Sequence, residues 1–300
     1  MKIIILAKRS EDEYETKKLV ESFYNKKVDV SVRHPDRFDL IVNEDLKKHI
    51  KYDGEAIELP DLVFVRIGAG ISPFQLAVIR HFEQAGVLCV NSSISVETAI
   101  DKLRTAQILS SNNIAIPKTM FVKFPINVEL VDNNIGFPCV VKVVTGSYGE
   151  GIFLCEDRCS FKKIMEFIGN VGSRETLIVQ EYLGDRPGED LRVLVAGGRV
   201  LGAMKRTAPT GDFRANITNG GTGEFYPVTN EIEEIAIHTA KVLGLSVAGI
   251  DLLFDSRGFR VCEANSNPGF SGFDRYCNTD VADLLSTYII NLATLNNVTI

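Results

Sequence analysis

The sequence predicts an α/β protein in which a doubly wound, mostly parallel sheet is followed by α+β lobes. Short apolar runs such as MKIIILA and DLVFVRI alternate with helical segments up to about residue 91, which is typical of βαβ units. Later strands instead pair as hairpins across short turns. Three hundred residues exceed the usual size of one core, so we expect two or three packed lobes.

Composition excludes several classes of protein. The chain is 45% hydrophobic and 24% charged, and its net charge of −6 argues against a broad nucleic-acid-binding surface. The six cysteines form no CxxC pair, so we expect reduced thiols and no structural zinc. No apolar run approaches the roughly 20 residues of a membrane span. We therefore expect a cytoplasmic protein with no membrane or nucleic-acid partner.

The first 91 residues alternate between strands and helices. We predict strands at MKIIILA, VDVSV, DLIV, DLVFVRI and VLCVN, and helices at Glu11–Tyr24 and Pro73–Gln84. Ligands of such sheets bind beyond the carboxyl ends of the strands, where Arg66, Gly68 and Gly70 follow DLVFVRI. Arg66 is placed either to receive a carboxylate or as a surface residue in an ordinary turn, and both interpretations stay open.

Two lysines are candidate phosphate ligands. A helix is predicted over Ser95–Ser111, and Lys102 within it either reaches a phosphate or is simply solvated. Lys142 lies in the apolar strand FPCVVKVV, where burial of an ammonium is costly unless it reaches an anion. The glycine-rich loop at 145–151 then leads into another strand, IFLCE, which indicates a flap over a triphosphate rather than a P-loop.

Further polar positions lie in the second half. The strand TLIVQEYL ends in backbone groups suited to an adenine edge, although a buried structural strand has the same pattern. A hairpin over 189–206 carries Asp190, Arg192, Lys205 and Arg206. The loop 207–223 contains Arg214. The guanidinium groups of Arg206 and Arg214 suit a substrate carboxylate, and solvated arginines are the alternative.

The stretch 247–273 predicts a hairpin that carries a metal site. Asp251 is expected opposite a residue between 261 and 263, with Val261, Glu263 and Asn265 on one face and Cys262 and Ala264 on the other. Carboxylate and amide oxygens in this pattern suit Mg²⁺ or Mn²⁺. An acidic, solvent-facing edge hairpin is the alternative. Helices are predicted at 231–243 and 280–295.

Eight segments in this order resemble the RimK group of ATP-grasp carboxylate–amine ligases over nearly the whole chain. They are RIGAGIS (66–72), DKLRTAQIL (101–109), VVKVVTGSYGEGI (140–152), VQEYL (179–183), EDLRVLV (189–195), KRTAPTGDFRANITNGG (205–221), VAGIDLL (247–253) and EANSNPGF (263–270). The resemblance implies an N-terminal pre-ATP-grasp domain at 1–95, a central ATP-grasp lobe at 96–180 and a C-terminal lobe at 181–300.

The same resemblance implies functional residues. Lys102 and Lys142 would contact ATP phosphates under the flap, Asp190 the ribose, and Arg206, Arg214 and Lys142 would act in catalysis. The remaining implied nucleotide contacts are Ser147, Tyr148, Gly149, Gln180, Glu181, Tyr182, Leu183, Arg214, Ala215 and Asn216. Two Mg²⁺ or Mn²⁺ ions would be held by Asp251, Glu263 and Asn265.

The implied activity is ATP-dependent amide formation between a carboxylate and an amino acid, glutamate first among them, through an acyl phosphate. The final stretch is more similar to the N-acetylaspartylglutamate and β-citrylglutamate synthase branch than to the branch that modifies ribosomal protein S6. The family often forms dimers or tetramers. A ligase acting on a protein C-terminus, an ATP-grasp kinase and a non-catalytic nucleotide-binding module remain alternatives.

Overall fold

The computed structural model describes residues 1–42, 50–143, 151–170, 177–217 and 220–298. The strands, in chain order, are β1 Lys2–Ala7, β2 Asp29–Arg33, β3 Phe38–Leu40, β4 Ile50–Tyr52, β5 Glu55–Ala56, β6 Leu62–Arg66, β7 Leu88–Val90, β8 Thr119–Val122, β9 Cys139–Val143, β10 Ile152–Cys155, β11 Leu177–Glu181, β12 Glu189–Ala196, β13 Arg199–Thr207, β14 Thr222–Tyr226, β15 Val247–Asp255 and β16 Gly258–Asn265. The helices are α1 Tyr14–Asn25, α2 Pro73–Gln84, α3 Ser93–Ile100, α4 Lys102–Ser111, α5 Val128–Asn134, α6 Arg158–Asn170, α7 Asn230–Val242, α8 Ser271–Tyr276 and α9 Val281–Val298.

The N-terminal sheet is parallel, as predicted. Its strand order is β2-β1-β6-β7, and every adjacent pair runs in the same direction. Strands β1 and β6 are almost wholly buried, which fits their near-continuous apolar sequences. The predicted strand DLIV corresponds to β3, but it pairs antiparallel with β4 in a separate sheet with β5.

The single helix predicted over Ser95–Ser111 is wrong, because two helices meet at Asp101. This residue has φ −87° and ψ 97°, so it leaves the helical conformation, ending α3 and starting α4. Its Oδ1 accepts a hydrogen bond from the Arg104 backbone N–H at 2.9 Å. An aspartate capping a free N–H at the start of a helix stabilises the break.

The central sheet holds Lys142 on the face away from its helices. Its order is β10-β9-β11-β8 and all its pairs are antiparallel. Cys139 and Val141 of β9 pack with Phe161 and Met165 of α6 in one apolar cluster. Because side chains alternate along a strand, Lys142 points to the opposite face, beside Ile178 of β11.

The C-terminal sheet has the order β14-β13-β12-β15-β16, with every pair antiparallel. On one face, Leu191, Ile250 and Leu252 pack with Ile232 and Ala236 of α7. The other face carries the polar residues of the hairpins. The strand β14 begins at Thr222, so it overlaps only the last two residues of the long loop predicted over 207–223.

The hairpin of β15 and β16 contains a bulge that changes one predicted face. Asp251 pairs with Glu263, at the end of the expected range 261–263, yet the next pair joins Leu252 to Val261, so Cys262 is an extra residue. Val261 therefore lies in the apolar cluster with Ala264, not in the row of Glu263. The predicted alternation was wrong at this position because one inserted residue reverses every face before it.

The N-terminal and C-terminal lobes share a core. Phe23 of α1 and Phe64 of β6 belong to the same buried cluster as Phe270, Phe273 of α8 and Ile289 of α9. Contacts across this cluster fix the carboxyl ends of the parallel strands against the segment that follows β16. In the described part of the chain, no helix is long and apolar enough to cross a membrane.

We predict that Asp101→Ala lowers the free energy of unfolding by about 1 kcal/mol, because it removes the side-chain cap of α4. Urea denaturation followed by circular dichroism measures the change. Asp101→Asn is the matched control, since asparagine caps about as well as aspartate. Equal stability of the alanine variant and the wild type would show that the cap contributes nothing.

Candidate active site

A cleft opens between the central and C-terminal sheets. Helix α4, strands β9 and β11, and the bulge of β16 form its walls. Four predicted site residues line it, namely Lys102, Lys142, Gln180 and Glu263, together with Ala99, Thr105, Ala106, Leu109, Ile116, Ile178, Val261, Cys262 and Ala264. A mainly apolar lining with a few charged groups is typical of a small-molecule site.

Lys142 crosses this cleft toward the hairpin. Its Nζ lies 3.6 Å from the Sγ of Cys262, the bulged residue of β16. Burial raises the pKa of the Cys262 thiol, and the positive charge of Lys142 only partly offsets that effect. Cys262 is therefore protonated at neutral pH and is a poor nucleophile.

Asp251 is buried beside two arginines. Arg192 stands directly opposite it on β12, and the Arg192 Nε and Nη2 donate to the two carboxylate oxygens of Asp251 at 2.7 and 2.6 Å. The Nη2 of Arg206 lies 3.0 Å from Asp251 Oδ2. Burial alone would raise the pKa of Asp251, but the attraction of Arg192 and Arg206 outweighs it and lowers the pKa. Asp251 therefore stays ionised.

Arg206 is held in turn by Asp190. These residues are opposite each other on β13 and β12, and Arg206 Nε and Nη2 lie 2.6 and 2.7 Å from the carboxylate oxygens of Asp190. Arg192, Asp251, Arg206 and Asp190 thus form a buried charge quartet across three strands. Its two positive and two negative charges balance, which is what burial of ionised groups requires.

The predicted metal ligands share one face of the hairpin. Glu263 is exposed and lies opposite Asp251, while Asn265 pairs with Gly249 two positions along the same face. The Nδ2 of Asn265 is buried without a hydrogen-bond partner. These oxygen donors fit a hard cation such as Mg²⁺. Among the described residues no group of three or more His, Cys, Asp or Glu side chains could hold a metal, so such a site depends on the amide of Asn265.

The predicted adenine edge is tied to the C-terminal sheet. Glu181 Oε1 accepts from the Lys118 backbone N–H at 2.7 Å and from Arg260 Nη1 at 2.7 Å. The Gln180 side chain donates to Thr119 Oγ1 at 2.9 Å. The side chains of these two residues therefore brace the end of β11, and the backbone of this segment remains the part suited to an adenine.

The loop after β13 lies beside that segment. Phe213 packs edge-on against Tyr182, with ring centroids 6.4 Å apart. The hydrogen bonds from Arg214 to Asp212 hold the pKa of Asp212 at about 2. Arg214 is therefore anchored within its own loop, and it is not among the described residues that line the cleft.

The other predicted residues fall into two groups. Ala215 is buried, Asn216 accepts from the Gly221 backbone N–H through its carbonyl, and Leu183 follows β11. Ser147, Tyr148 and Gly149 lie outside the described residues.

Sequence reasoning did not select Arg192 or Arg260 as site residues. The spacing of Asp190 and Arg192 places both on one face, and only the register with β15 reveals the partner of Arg192.

Comparison with known proteins decides the family. A model of the RimK-like ATP-grasp domain matches residues 99–289, and a model of the RimK pre-ATP-grasp domain matches residues 1–96. The chain belongs to the RimK-like ATP-grasp family. A probable alpha-L-glutamate ligase from Vibrio cholerae is 38% identical over 290 residues, covering 96% of this chain and 95% of the relative. One from Methanococcoides burtonii is 36% identical with the same coverage.

Solved structures of ATP-grasp proteins share the fold. The ligase PsnB, complexed with a precursor variant, Mg and ADP, superposes with a TM-score of 0.76 at 21% identity and covers 97% of this chain and 98% of its own. D-alanine–D-alanine ligase from Bacillus anthracis, complexed with ATP, gives 0.70 at 16% identity and covers 99% of both chains. Family and relatives together identify this RimK-like protein as a ligase, and its ATP-grasp fold with an N-terminal pre-ATP-grasp domain is confirmed.

We predict that Arg192→Met lowers the free energy of unfolding by about 3 kcal/mol. The variant leaves the buried Asp251 carboxylate with one arginine partner in place of two. Chemical denaturation at neutral pH measures the loss.

Lys205→Met on the neighbouring strand is the matched control. Lys205 pairs with Glu189 and with Glu224, whose side chain is 63% exposed, so its removal should cost about 1 kcal/mol or less. An equal loss of unfolding free energy in the two variants would contradict the larger contribution to stability that we assign to the quartet.

Proposed function

We propose that this RimK-like protein uses ATP to join the amine of an amino acid, L-glutamate, to a carboxylate, releasing ADP and phosphate. The observation that carries the proposal is the convergence of Lys142 and Glu263 in one cleft beside the ionised Asp251. A cationic group from one sheet and an acidic hairpin from the other surround the space in which a triphosphate and its cation would lie. The alpha-L-glutamate ligases among the relatives favour glutamate as the amino acid.

The nucleotide would lie between the central and C-terminal lobes. Lys142 and Lys102 supply positive charge to the phosphates, and the backbone of 180–183 receives the adenine. Both oxygens of Asp190 accept from Arg206, and each keeps a second lone pair for a ribose hydroxyl. Neighbouring structures of the same fold contain ADP or ATP, which favours a nucleotide as the ligand of this cleft.

Asp251, Glu263 and Asn265 are the residues that would hold Mg²⁺, the cation present in the PsnB complex with ADP, with Mn²⁺ the alternative. Such ions neutralise charge on the transferring phosphoryl group. Asp251 is already oriented by Arg192 and Arg206, so its carboxylate needs little rearrangement. The role of the quartet in this proposal is to hold one ligand in place before the nucleotide arrives.

The reaction would proceed through an acyl phosphate. A carboxylate oxygen attacks the γ-phosphorus of ATP and ADP leaves; the amine then attacks the acyl carbon and phosphate leaves. Proximity and charge neutralisation suffice for both steps, since phosphoryl transfer requires no covalent bond to the protein. The protonated thiol of Cys262 fits this route better than one through a thioester.

Two carboxylate classes are candidates for the acceptor. A small dicarboxylate or N-acylated amino acid is one, and the C-terminal carboxylate of a peptide or protein is the other. Arg206 and Arg214 are the side chains proposed to grip it, and the loop carrying Arg214 is largely half-exposed. Assembly into dimers or tetramers stays a prediction that size-exclusion chromatography with light scattering can test.

The assay that tests this function combines the protein with ATP, Mg²⁺, L-glutamate and a panel of small and peptide carboxylates. We expect ADP and phosphate to form only with a productive pair, together with a product heavier than the acceptor by one glutamyl residue. Mass spectrometry reads the product. Formation of AMP and pyrophosphate would contradict the acyl-phosphate route. Formation of a phosphate ester without an amide would identify a kinase.

We predict that Glu263→Gln lowers kcat at least about 100-fold, because an amide replaces the exposed carboxylate proposed to hold the cation. Glu224→Gln on β14 is the matched control, since Glu224 is exposed and forms an ion pair with Lys205. Retention of full Mg²⁺-dependent turnover by Glu263→Gln would remove this residue from the metal site.

A further inference from the structure

A group of buried polar atoms without partners lies where the pre-ATP-grasp domain meets the segment after β16. The Nη1 of Arg66, the Oγ of Ser266 and the Oδ1 of Asn267 are all buried and make no hydrogen bond. Arg66 is 9% exposed and Ser266 is 4% exposed. Buried polar groups are nearly always hydrogen-bonded, so a cluster without partners points to a missing ligand.

These atoms belong to one contiguous place in the fold. The Nη2 of Arg66 donates to the carbonyl of Pro268 at 3.1 Å, which fixes the guanidinium against the 266–268 segment. A Cβ built on Gly68 would lie 3.0 Å from Asn267 Cβ and 3.7 Å from Ser266 Oγ. Gly68 therefore allows the two segments to approach closely, and Arg66, Ser266 and Asn267 lie near one another.

The guanidinium of Arg66 is held rigidly by its other contacts. Its Nη2 also donates to Glu15 Oε2 at 3.1 Å, and its Cζ lies 5.5 Å from the centre of the Phe270 ring. Glu15 Oε1 accepts from the Phe270 and Ser271 backbone N–H groups at 2.6 and 3.0 Å. The hydrogen bonds of Nη2 therefore fix the orientation of the whole guanidinium, including Nη1.

The chemistry of the cluster selects its ligand. Arg66 offers a charged N–H donor, Ser266 a hydroxyl that donates or accepts, and Asn267 a carbonyl acceptor. Glu15 already balances the charge of Arg66. A ligand with both a carboxylate and an ammonium, and no net charge between them, therefore matches the cluster better than a bare anion.

We propose that Arg66, Ser266 and Asn267 form the subsite for the α-amino-acid headgroup of the incoming amino acid, with Arg66 Nη1 and Ser266 Oγ on the carboxylate and Asn267 Oδ1 on the ammonium. This assignment rests on the proposed ligase function. Asn265, the proposed cation ligand, directly precedes this segment, so the subsite adjoins the proposed phosphate end of the cleft.

The variant Ser266→Ala provides the sharpest test, because removing a hydroxyl that has no intramolecular partner breaks no bond of the fold. L-glutamate is titrated by calorimetry into protein saturated with a non-hydrolysable ATP analogue and Mg²⁺. We expect Ser266→Ala to raise the Kd for glutamate about 3- to 10-fold without lowering Tm, and Arg66→Lys to raise it about 10-fold or more. Affinity for the ATP analogue should stay unchanged in both.

Ser286→Ala is the matched control. Ser286 is also fully buried, but its hydroxyl bonds Ser22 Oγ at 2.7 Å and the Asp283 carbonyl at 3.0 Å. Its removal should lower Tm and leave the Kd for glutamate unchanged. A Ser266→Ala protein with unchanged Kd overturns the subsite, as does a wild type that does not bind L-glutamate.

Turnover measured on the same preparations separates the two proposals. Ligase activity with unchanged Kd and KM for glutamate in Ser266→Ala overturns the subsite and leaves the function standing. Glutamate binding that Ser266→Ala weakens, in a wild type that forms no amide with any acceptor, supports the subsite and overturns the ligase reaction proposed above.

Discussion

The buried charge quartet of Asp190, Arg192, Arg206 and Asp251 is the constraint on which the site depends. These side chains lie on three neighbouring strands, and their pairing follows directly from the register of β12 with β13 and with β15. Removing any one charge leaves another without compensation in a poorly solvated place, which costs several kcal/mol. The quartet therefore restricts both the sequence of the strands and the alignment between them.

The cleft exists because two sheets face each other without sharing a core. The central sheet has its own apolar cluster with α5 and α6, whereas the C-terminal sheet packs on α7 and, through α8 and α9, on the N-terminal lobe. The Glu181–Arg260 pair bridges the gap between the two sheets at 2.7 Å. A gap that already contains charged side chains admits a charged ligand at a lower desolvation cost than an apolar core would.

Local patterns predicted the elements of the fold better than their alignment. Parallel strands and hairpins follow from apolar runs and turn residues, and turn length alone restricted the partner of Asp251 to residues 261–263, a range that includes the observed Glu263. The break at Asp101 depends on a single side chain, which caps the N-terminus of α4. The bulge at Cys262 has no signal in the composition of β16. The pairing of Arg192 with Asp251 joins residues 59 apart, a register that short-range patterns do not encode.

Asp251 and Asn265 show how the same hairpin can serve both folding and chemistry. Asp251 binds two arginines, which keep its carboxylate ionised and hold it in one orientation. Asn265 and the residues after it instead carry buried polar atoms that the fold leaves unpaired. Gly249, opposite Asn265, lets Pro268 of this segment approach the sheet closely, since a Cβ on Gly249 would lie 2.7 Å from Pro268 Cβ. Because a satisfied network resists change and unpaired groups lower the cost of binding, the arginine-held strand supplies rigidity, and the proposed subsite would draw its affinity from the 265–268 segment.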